Sequence, residues 1–250
     1  MTDLHTHILP GMDDGSKNAE MSIDMLLKER EQGVTDVVLT PHFYMNHESV
    51  RRFLSRREKA LHVLAEAIRS LPEETRGKLP GISVGAEVAW RSDIVSWPQL
   101  DELCYGTSRI ILVELPMSAW DKWLFNGLYD FMSDSGFVPV IAHIERYFKS
   151  QKQSAIDEIL SLGVPVQISA EALLGFFTRK RALDMLVARR ALLISDCHNL
   201  GDRAPNIGPA LEIITKKLGQ EACGRIIRST DELLAQIRED ERLASLRDDN

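Results

Sequence analysis

The segment Asp3-Leu4-His5-Thr6-His7-Ile8-Leu9-Pro10-Gly11-Met12-Asp13-Asp14-Gly15 decides how the rest of the chain is read. Side chains alternate across an extended backbone, so His5 and His7, two residues apart, share a face and can chelate one ion together. Read alone, such a pair serves equally well as polar rim at a strand end. The remainder of the chain gives it weight. Later strand-like runs end at Pro41-His42, Glu87, Glu114, His143 and Asp196-Cys197-His198. All but the proline are residue types that bind divalent metals.

Working outward, the runs between these points alternate in character. Asn18 is placed to cap a helix carrying Ile23, Met25, Leu26 and Leu27, with Gly33 to end it. Val34–Leu39 reads as a strand, and Glu48–Leu71 as a long amphipathic helix with one wet face. Pro72–Gly81 reads as a polar loop, Ile82–Val88 and Arg109–Leu115 as strands. Trp120–Ser135 is helical up to Gly136, and Phe137–Ala142 is again a strand. A helix over Ser154–Leu162 is closed by Gly163, a strand covers Val164–Ile168, a helix Ala170–Ala188, and a strand Leu192–Ser195. The chain then runs as helices from Pro209 through Leu218 into a charged, solvated tail.

Short, nearly continuous apolar strands alternating with helices indicate an α/β protein with buried parallel strands. An open sheet gathers its site at one crevice. Here the candidate ligands come from the C-terminal ends of almost every strand, which is the mouth of a closed barrel. The expectation is a barrel of about seven βα units. One domain over 1–250 is expected, with about 220–250 as a C-terminal helical extension.

The 250 residues, 44% hydrophobic and 27% charged with net charge −7, suit such a core. The acidic balance argues against a nucleic-acid binder with a broad basic surface, although a local pocket can still receive one phosphate. No apolar run is long enough to insert in a membrane. The N-terminal pattern is not that of a secretory signal, and three cysteines without framework spacing fit a reducing compartment. A cytoplasmic location is the expectation, with self-association left open.

The candidate metal ligands are His5, His7, Asp14, His42, Glu87, Glu114, His143, Asp196 and His198. Three or four protein ligands serve one catalytic ion, so nine imply two or three ions. Imidazole and carboxylate without thiolate suit manganese, zinc or iron. Clustered ions lower the pKa of a shared water enough to supply hydroxide for hydrolysis. Each ligand has a plainer reading as a rim residue or a salt-bridge partner, but five of the seven histidines sit at strand ends. His47 lies in a loop where it can reach a substrate, and His62 on the wet helix face. Arg146 and Arg203 come shortly after His143 and His198, and a guanidinium can take two oxygens of a phosphate. Their plainer reading is pairing with Glu145 and Asp202.

Four motifs, His5-Thr6-His7-Ile8-Leu9-Pro10-Gly11-x-Asp13-Asp14-Gly15, Thr40-Pro41-His42, His143-Ile144-Glu145-Arg146-Tyr147 and Ser195-Asp196-x-His198 with Arg203-x-Pro205, carry a resemblance. Together they resemble the metal-dependent tyrosine-protein phosphatases of bacterial capsule and exopolysaccharide operons, in the polymerase-and-histidinol-phosphatase (PHP) superfamily. The resemblance runs to about residue 220. It implies a distorted (β/α)7 barrel with the metal site at the C-terminal strand ends. It also implies a trinuclear centre, manganese foremost, and hydrolysis of phosphotyrosine on a partner tyrosine autokinase that regulates polysaccharide export. Carried over by position, it implies one ion on His5, His7, Glu87 and Asp196, a second on Glu87, Glu114 and His143, and a third on Asp14, His42 and His198. Arg146 and Arg203 would grip the phosphate, and His42 could assist the leaving group. Phe43 and Met12 depart from the usual pattern, and Ala89–Asp101, with Trp90 and Trp97, matches no motif.

Three other readings stay open from the residues alone. Cys197 and Arg203 have the Cys-x5-Arg spacing of thiolate phosphatases, although Asp196 would oppose a thiolate. The same metals could serve a small-molecule phosphatase acting on a substrate such as histidinol phosphate. A non-catalytic regulator could use the fold only to bind a kinase tail.

Overall fold

The computed structural model describes residues 1–188 and 191–248. The chain begins with β1 (Thr2–Thr6), α1 (Ala19–Glu31), β2 (Asp36–Leu39), β3 (His42–Phe43), α2 (Val50–Arg69), α3 (Glu73–Arg76), β4 (Gly81–Val84) and β5 (Glu87–Ala89). It continues through β6 (Ile110–Glu114), α4 (Lys122–Ser135), β7 (Val138–Ile141), α5 (Gln153–Ser161), β8 (Gln167–Ser169), α6 (Ala170–Leu174) and α7 (Arg179–Ala188). β9 (Leu192–Ile194), α8 (Ile207–Leu218) and α9 (Gln220–Asp248) complete it. Local chemistry sets the boundaries. The Asn18 side chain accepts the Met21 amide at the start of α1, Asp121 accepts those of Trp123 and Leu124 at the start of α4, and Gly136 at φ 70° ends α4.

Among the described residues every strand pairing is parallel, in three sheets ordered β1-β2-β4, β3-β5-β6-β7 and β8-β9. The fold class is therefore α/β with parallel strands, as the alternation indicates. Among the described residues the ladders do not join into one closed sheet, and the expected barrel goes beyond this pairing pattern. Two adjacent interruptions divide them, at Thr40-Pro41 and at Gly85-Ala86. Pro41 has no amide hydrogen to give to a ladder, and the run read as one strand over Ile82–Val88 becomes β4 and β5 in different sheets. Single hydrogen bonds span the gap, from the Gly85 amide to the Leu39 carbonyl at 2.9 Å and from the Glu87 amide to the Pro41 carbonyl at 3.1 Å. Isolated parallel bridges join Thr6 to Cys197 and Ile141 to Val166.

Other differences are local. The helix expected over Ala170–Ala188 is two helices separated by a turn at Gly175–Thr178, and the polar loop Pro72–Gly81 contains the one-turn α3. Leu4, Val38, Leu112, Val140 and Ile194, from five strands, meet in one buried cluster with Leu234 and Ile237 of α9. Helix α9 is tied down further by the Thr2 amide and hydroxyl, both donating to Asp231 at 2.8 Å. The C-terminal helix is thus packed through Ile237; Asp249 and Asn250 of the expected extension lie outside the described residues. The larger core cluster lies between strands and helices. Among the described residues, no helix is long and apolar enough to cross a membrane.

Candidate metal centre

β1 carries His5 into the interior, and His7 sits just beyond its end, both fully buried. The loop after them turns back tightly at Gly15. A Cβ there would lie 2.1 Å from the His7 carbonyl oxygen and 2.6 Å from its Cβ, so only glycine permits this return. The return places Asp13 under His7 and Asp14 over the histidine cluster. At two other strand ends the backbone turns sharply through positive φ, at His143 (26°) and Asp196 (54°). Non-glycine residues hold that conformation only where the surroundings fix it.

Three histidines are oriented in the same way. The His5 Nδ1–H donates to Gln167 Oε1 at 2.8 Å, that of His7 to Asp13 Oδ2 at 2.7 Å, and that of His198 to the Asp196 carbonyl at 2.9 Å. Each leaves its Nε2 lone pair free, the arrangement by which outer partners orient metal-ligating imidazoles. His5 Nε2 and His7 Nε2 are 3.1 Å apart, both 3.3 Å from Glu87 Oε2, and 3.6 and 3.4 Å from Asp196 Oδ1. Ligands about 2.0–2.2 Å from one ion stand roughly 3–3.5 Å from each other. Asp196 Oδ1 and His198 Nε2 are buried without a hydrogen-bond partner, which is costly for polar atoms unless something binds them. The donor set fits a divalent ion.

The other expected ligands converge on the same space. Glu87 divides its oxygens: Oε1 is 2.8 Å from His143 Nε2, while Oε2 faces His5, His7 and, at 2.8 Å, His42 Nδ1. Glu114 Oε1 lies 3.8 Å from His143 Nε2. Asp14 Oδ1 is 3.4 Å from both His42 Nε2 and His198 Nε2. Among the described residues three groups could each hold an ion: His5, His7 and Glu87; His42, Glu87 and Glu114; and His7, Asp14, His42 and His198. His42 and His7 therefore stand between groups that the family pattern keeps apart; seven of the nine candidates fall in these groups, and His143 and Asp196 lie against them, 2.8 Å from Glu87 and 3.4 Å from His7.

The electrostatics favour ionised carboxylates: burial opposes charge on His5 and His7, but Glu87 and Asp196, with Asp13 at His7, raise both above an ordinary imidazole, while His198 is pushed towards the neutral form. Burial alone would raise both acids, but His5, His143 and His42 hold Glu87, and His5, His7 and Arg146 hold Asp196, well below the usual carboxylate range. Asp13 is likewise pushed up by burial but brought down to about 2 by His7 and the His42 and Gly15 amides. Burial, and then the charge of His7, push His198 down to about 3. Glu114 is raised by burial and by Glu87. Arg146 and Arg203 both contact Asp196 Oδ2, Arg203 at 3.2 Å, and Arg203 also meets Asp14 at 3.3 Å. They reach the acids of the centre, whereas the plainer reading pairs them with Glu145 and Asp202.

Cys197 is fully buried and donates from Sγ to Glu29 Oε1 at 3.5 Å. Burial, with Glu29 and Asp3, pushes its thiol pKa well up, which opposes the thiolate reading. His62 is on the surface near Glu66, and His47 is exposed with its ring 5.2 Å from that of Tyr44. Phe43, where the pattern departs, packs against Phe53 and Trp97, and Trp90 against Phe131. Sequence reasoning does not single out Gln167. Its one signal is a polar side chain in an otherwise apolar strand run, at the same kind of position as the expected ligands. Nor does it single out Tyr44, which lies 3.4 Å from both His42 Nδ1 and Glu114 Oε2.

The family described as capsular polysaccharide synthesis, CpsB/CapC, matches residues 1–235. The tyrosine-protein phosphatase CpsB of Streptococcus pneumoniae is 31% identical over 236 residues, covering 88% of this chain and 91% of the relative. The tyrosine-protein phosphatase YwqE of Bacillus subtilis is 29% identical over 238 residues, covering 88% and 86%. A crystal structure from a study of YwqE and CpsB, described there as unique metal-dependent tyrosine phosphatases, matches this fold with a TM-score of 0.69. That match covers 97% of this chain and 94% of the other at 24% identity. On the near full-length family match and the 31% identity to a curated member, the chain belongs to the CpsB/CapC family of capsular polysaccharide synthesis.

Proposed function

We propose that this chain is a metal-dependent protein-tyrosine phosphatase acting on the phosphotyrosine-bearing tail of a tyrosine autokinase, and so regulating capsular or exopolysaccharide synthesis and export. The observation that carries the reading is the pair His5 Nε2 and His7 Nε2, 3.1 Å apart and locked from behind, each 3.3 Å from Glu87 Oε2 and 3.4–3.6 Å from Asp196 Oδ1. The names of the relatives supply the reaction. Two or three ions, manganese foremost with zinc or iron as alternatives, would be held by His5, His7, Glu87 and Asp196; by Glu87, Glu114 and His143; and by Asp14, His42 and His198. Divalent ions in such a cluster supply Lewis acidity and an activated water nucleophile for phosphoryl transfer.

The residues of the chain do the rest. Gln167 and Asp13 fix the tautomers of His5 and His7. Arg146 and Arg203 exchange part of their grip on Asp196 for phosphate oxygens, neutralising charge as the P–O bond breaks. His42, partly exposed at the edge of the cluster, serves in this reading as an ion ligand, with Nδ1 2.8 Å from Glu87 and Nε2 3.4 Å from Asp14, and the departing tyrosyl oxygen takes its proton from water. A distorted barrel of seven βα units in one domain is supported by the bridges Thr6 to Cys197 and Ile141 to Val166, and by the five-strand interior cluster. A cytoplasmic location accords with three unpaired cysteines.

Purified protein stripped with a chelator should lose hydrolysis of phosphotyrosyl peptides and regain it with manganese. A kcat/KM for histidinol phosphate above that for the peptides would move the assignment to a small-molecule phosphatase. Retained kinase regulation in a His143→Ala variant lacking hydrolysis would favour the non-catalytic regulator.

A further inference from the structure

A cavity of about 800 Å³ opens beside Arg146. Its wall comes from three separate segments: Met117 after β6, Phe148 and Lys149 after β7, and Leu174 and Phe177 at the turn between α6 and α7. Arg146 belongs both to this wall and to the Asp196 contact, so that one side chain stands between the cavity and the proposed phosphate site.

Phe176 and Phe177 on that turn are 82% and 94% exposed, and Met117 is 57% exposed. The turn is held rather than loose. The Thr178 hydroxyl donates to the Ala172 carbonyl at 2.7 Å, and Arg179 donates to the Leu173 and Leu174 carbonyls at 2.6 and 2.9 Å. Gly175 donates its amide to the Glu171 carbonyl at 3.0 Å, and a Cβ on it would strike the Thr178 hydroxyl at 2.5 Å. The two rings meet edge to face at 5.4 Å. Large aromatic surface fixed in solvent at the edge of a polar site marks a binding surface. Its charge is mixed but cationic on balance. The Arg181 guanidinium lies 3.5 Å from the Phe148 ring centroid, and Lys149 and Arg146 add to it. Glu145 is turned onto the Ser169 hydroxyl, leaving Glu171 as the opposing acid.

We infer that this cavity seats the peptide flanking the phosphotyrosine, with an apolar or aromatic side chain of the substrate against Met117, Phe148 and Phe177. An extended peptide advances about 3.3 Å per residue, so the seated side chain lies within a few residues of the phosphotyrosine. Lys149 and Arg181 complement acidic groups on the same segment. The inference rests on the protein-phosphatase reading and names what that site selects.

The test compares three substrates: a phosphotyrosyl peptide flanked by Phe, the same peptide flanked by Gly, and p-nitrophenyl phosphate. They are assayed with the manganese-loaded wild type, a Phe176→Ser/Phe177→Ser double variant and Arg181→Ser. The wild type should prefer the Phe-flanked peptide by about tenfold in kcat/KM. The double variant should lose that preference through KM, while p-nitrophenyl phosphate hydrolysis stays within about twofold and reports an intact fold. Arg181→Ser, which uncovers the Phe148 ring on which that guanidinium lies, should weaken the preference in the same direction. Equal wild-type activity on both peptides, or an undiminished preference in both variants, overturns the inference alone. A wild type that cleaves p-nitrophenyl phosphate but neither peptide overturns the protein-phosphatase reading, and the inference falls with it.

Discussion

The Nδ1–H of His5 donates to Oε1 of Gln167 at 2.8 Å, a buried pair joining strands 162 residues apart in sequence. This bond fixes the His5 tautomer and aims Nε2 at Glu87 and Asp196. Gln167→Leu should raise the metal concentration for half-maximal activity roughly 10- to 100-fold, with kcat recovered at saturation. Gln167→Glu, which keeps an acceptor, should retain most of the affinity. Metal titration of activity and equilibrium dialysis measure both, and an unchanged affinity in the leucine variant would remove Gln167 from this role.

Arg146 and Arg203 share Oδ2 of Asp196. Alanine at either position should lower kcat/KM on a phosphotyrosyl peptide by roughly 100-fold at saturating metal. The double variant should lose less than the product of the single losses, because both act on one phosphate. Lysine at 146 should restore little, since an ammonium cannot grip two oxygens at once. Steady-state kinetics with full activity in either alanine variant would exclude that arginine.

Cys197 faces Glu29 in the interior. Cys197→Ser should keep kcat/KM within about threefold of wild type, because the serine hydroxyl can make the same hydrogen bond. A chelator should abolish activity in both proteins. Loss of activity in the serine variant, with its metal content intact, would revive the thiolate chemistry.

Asp3 and Glu29 form a buried acid pair beneath the centre. Burial, opposed by bonds from Ser195 and His5, raises Asp3 from 3.8 to about 6, and burial with the charge of Asp3 raises Glu29 well above its ordinary value. The folded protein therefore keeps protons that the unfolded chain releases near pH 4. Each acid's contribution is most favourable below that pH and is lost as pH rises through its own raised pKa, about 6 for Asp3. Glu29→Gln removes one acid and keeps the acceptor for Cys197. Its stability relative to wild type should improve as pH rises from about 4 to 7, by on the order of 1 kcal/mol or more. Urea unfolding of both proteins across that range measures the difference, and a constant difference would refute it.

Much of the centre is legible before folding because it depends on residue type and strand position. His5, His7, Asp14, His42, Glu87, Glu114, His143, Asp196 and His198 stand out as metal-binding types at the ends of apolar runs, and all are brought together. The helix starts at Asn18 and Asp121 and the stop at Gly136 are equally local, since a cap is made within a few residues. Periodicity fails where a local rule meets a longer-range constraint. The strand read over Ile82–Val88 is split between two sheets, and the helix read over Ala170–Ala188 is broken by the Gly175 turn.

The sequence by itself determined the α/β alternation, the candidate donor set and the two arginines, because these depend on residue chemistry and short spacing. Only the tertiary structure decided that Glu87 turns its two oxygens to different histidines, that Gln167 stands behind His5, and that Phe43 points into the core while Phe176 and Phe177 face solvent. Those outcomes depend on contacts between segments up to 162 residues apart, and no local pattern of hydrophobicity or turn residues encodes which oxygen, ring nitrogen or aromatic face will meet which partner.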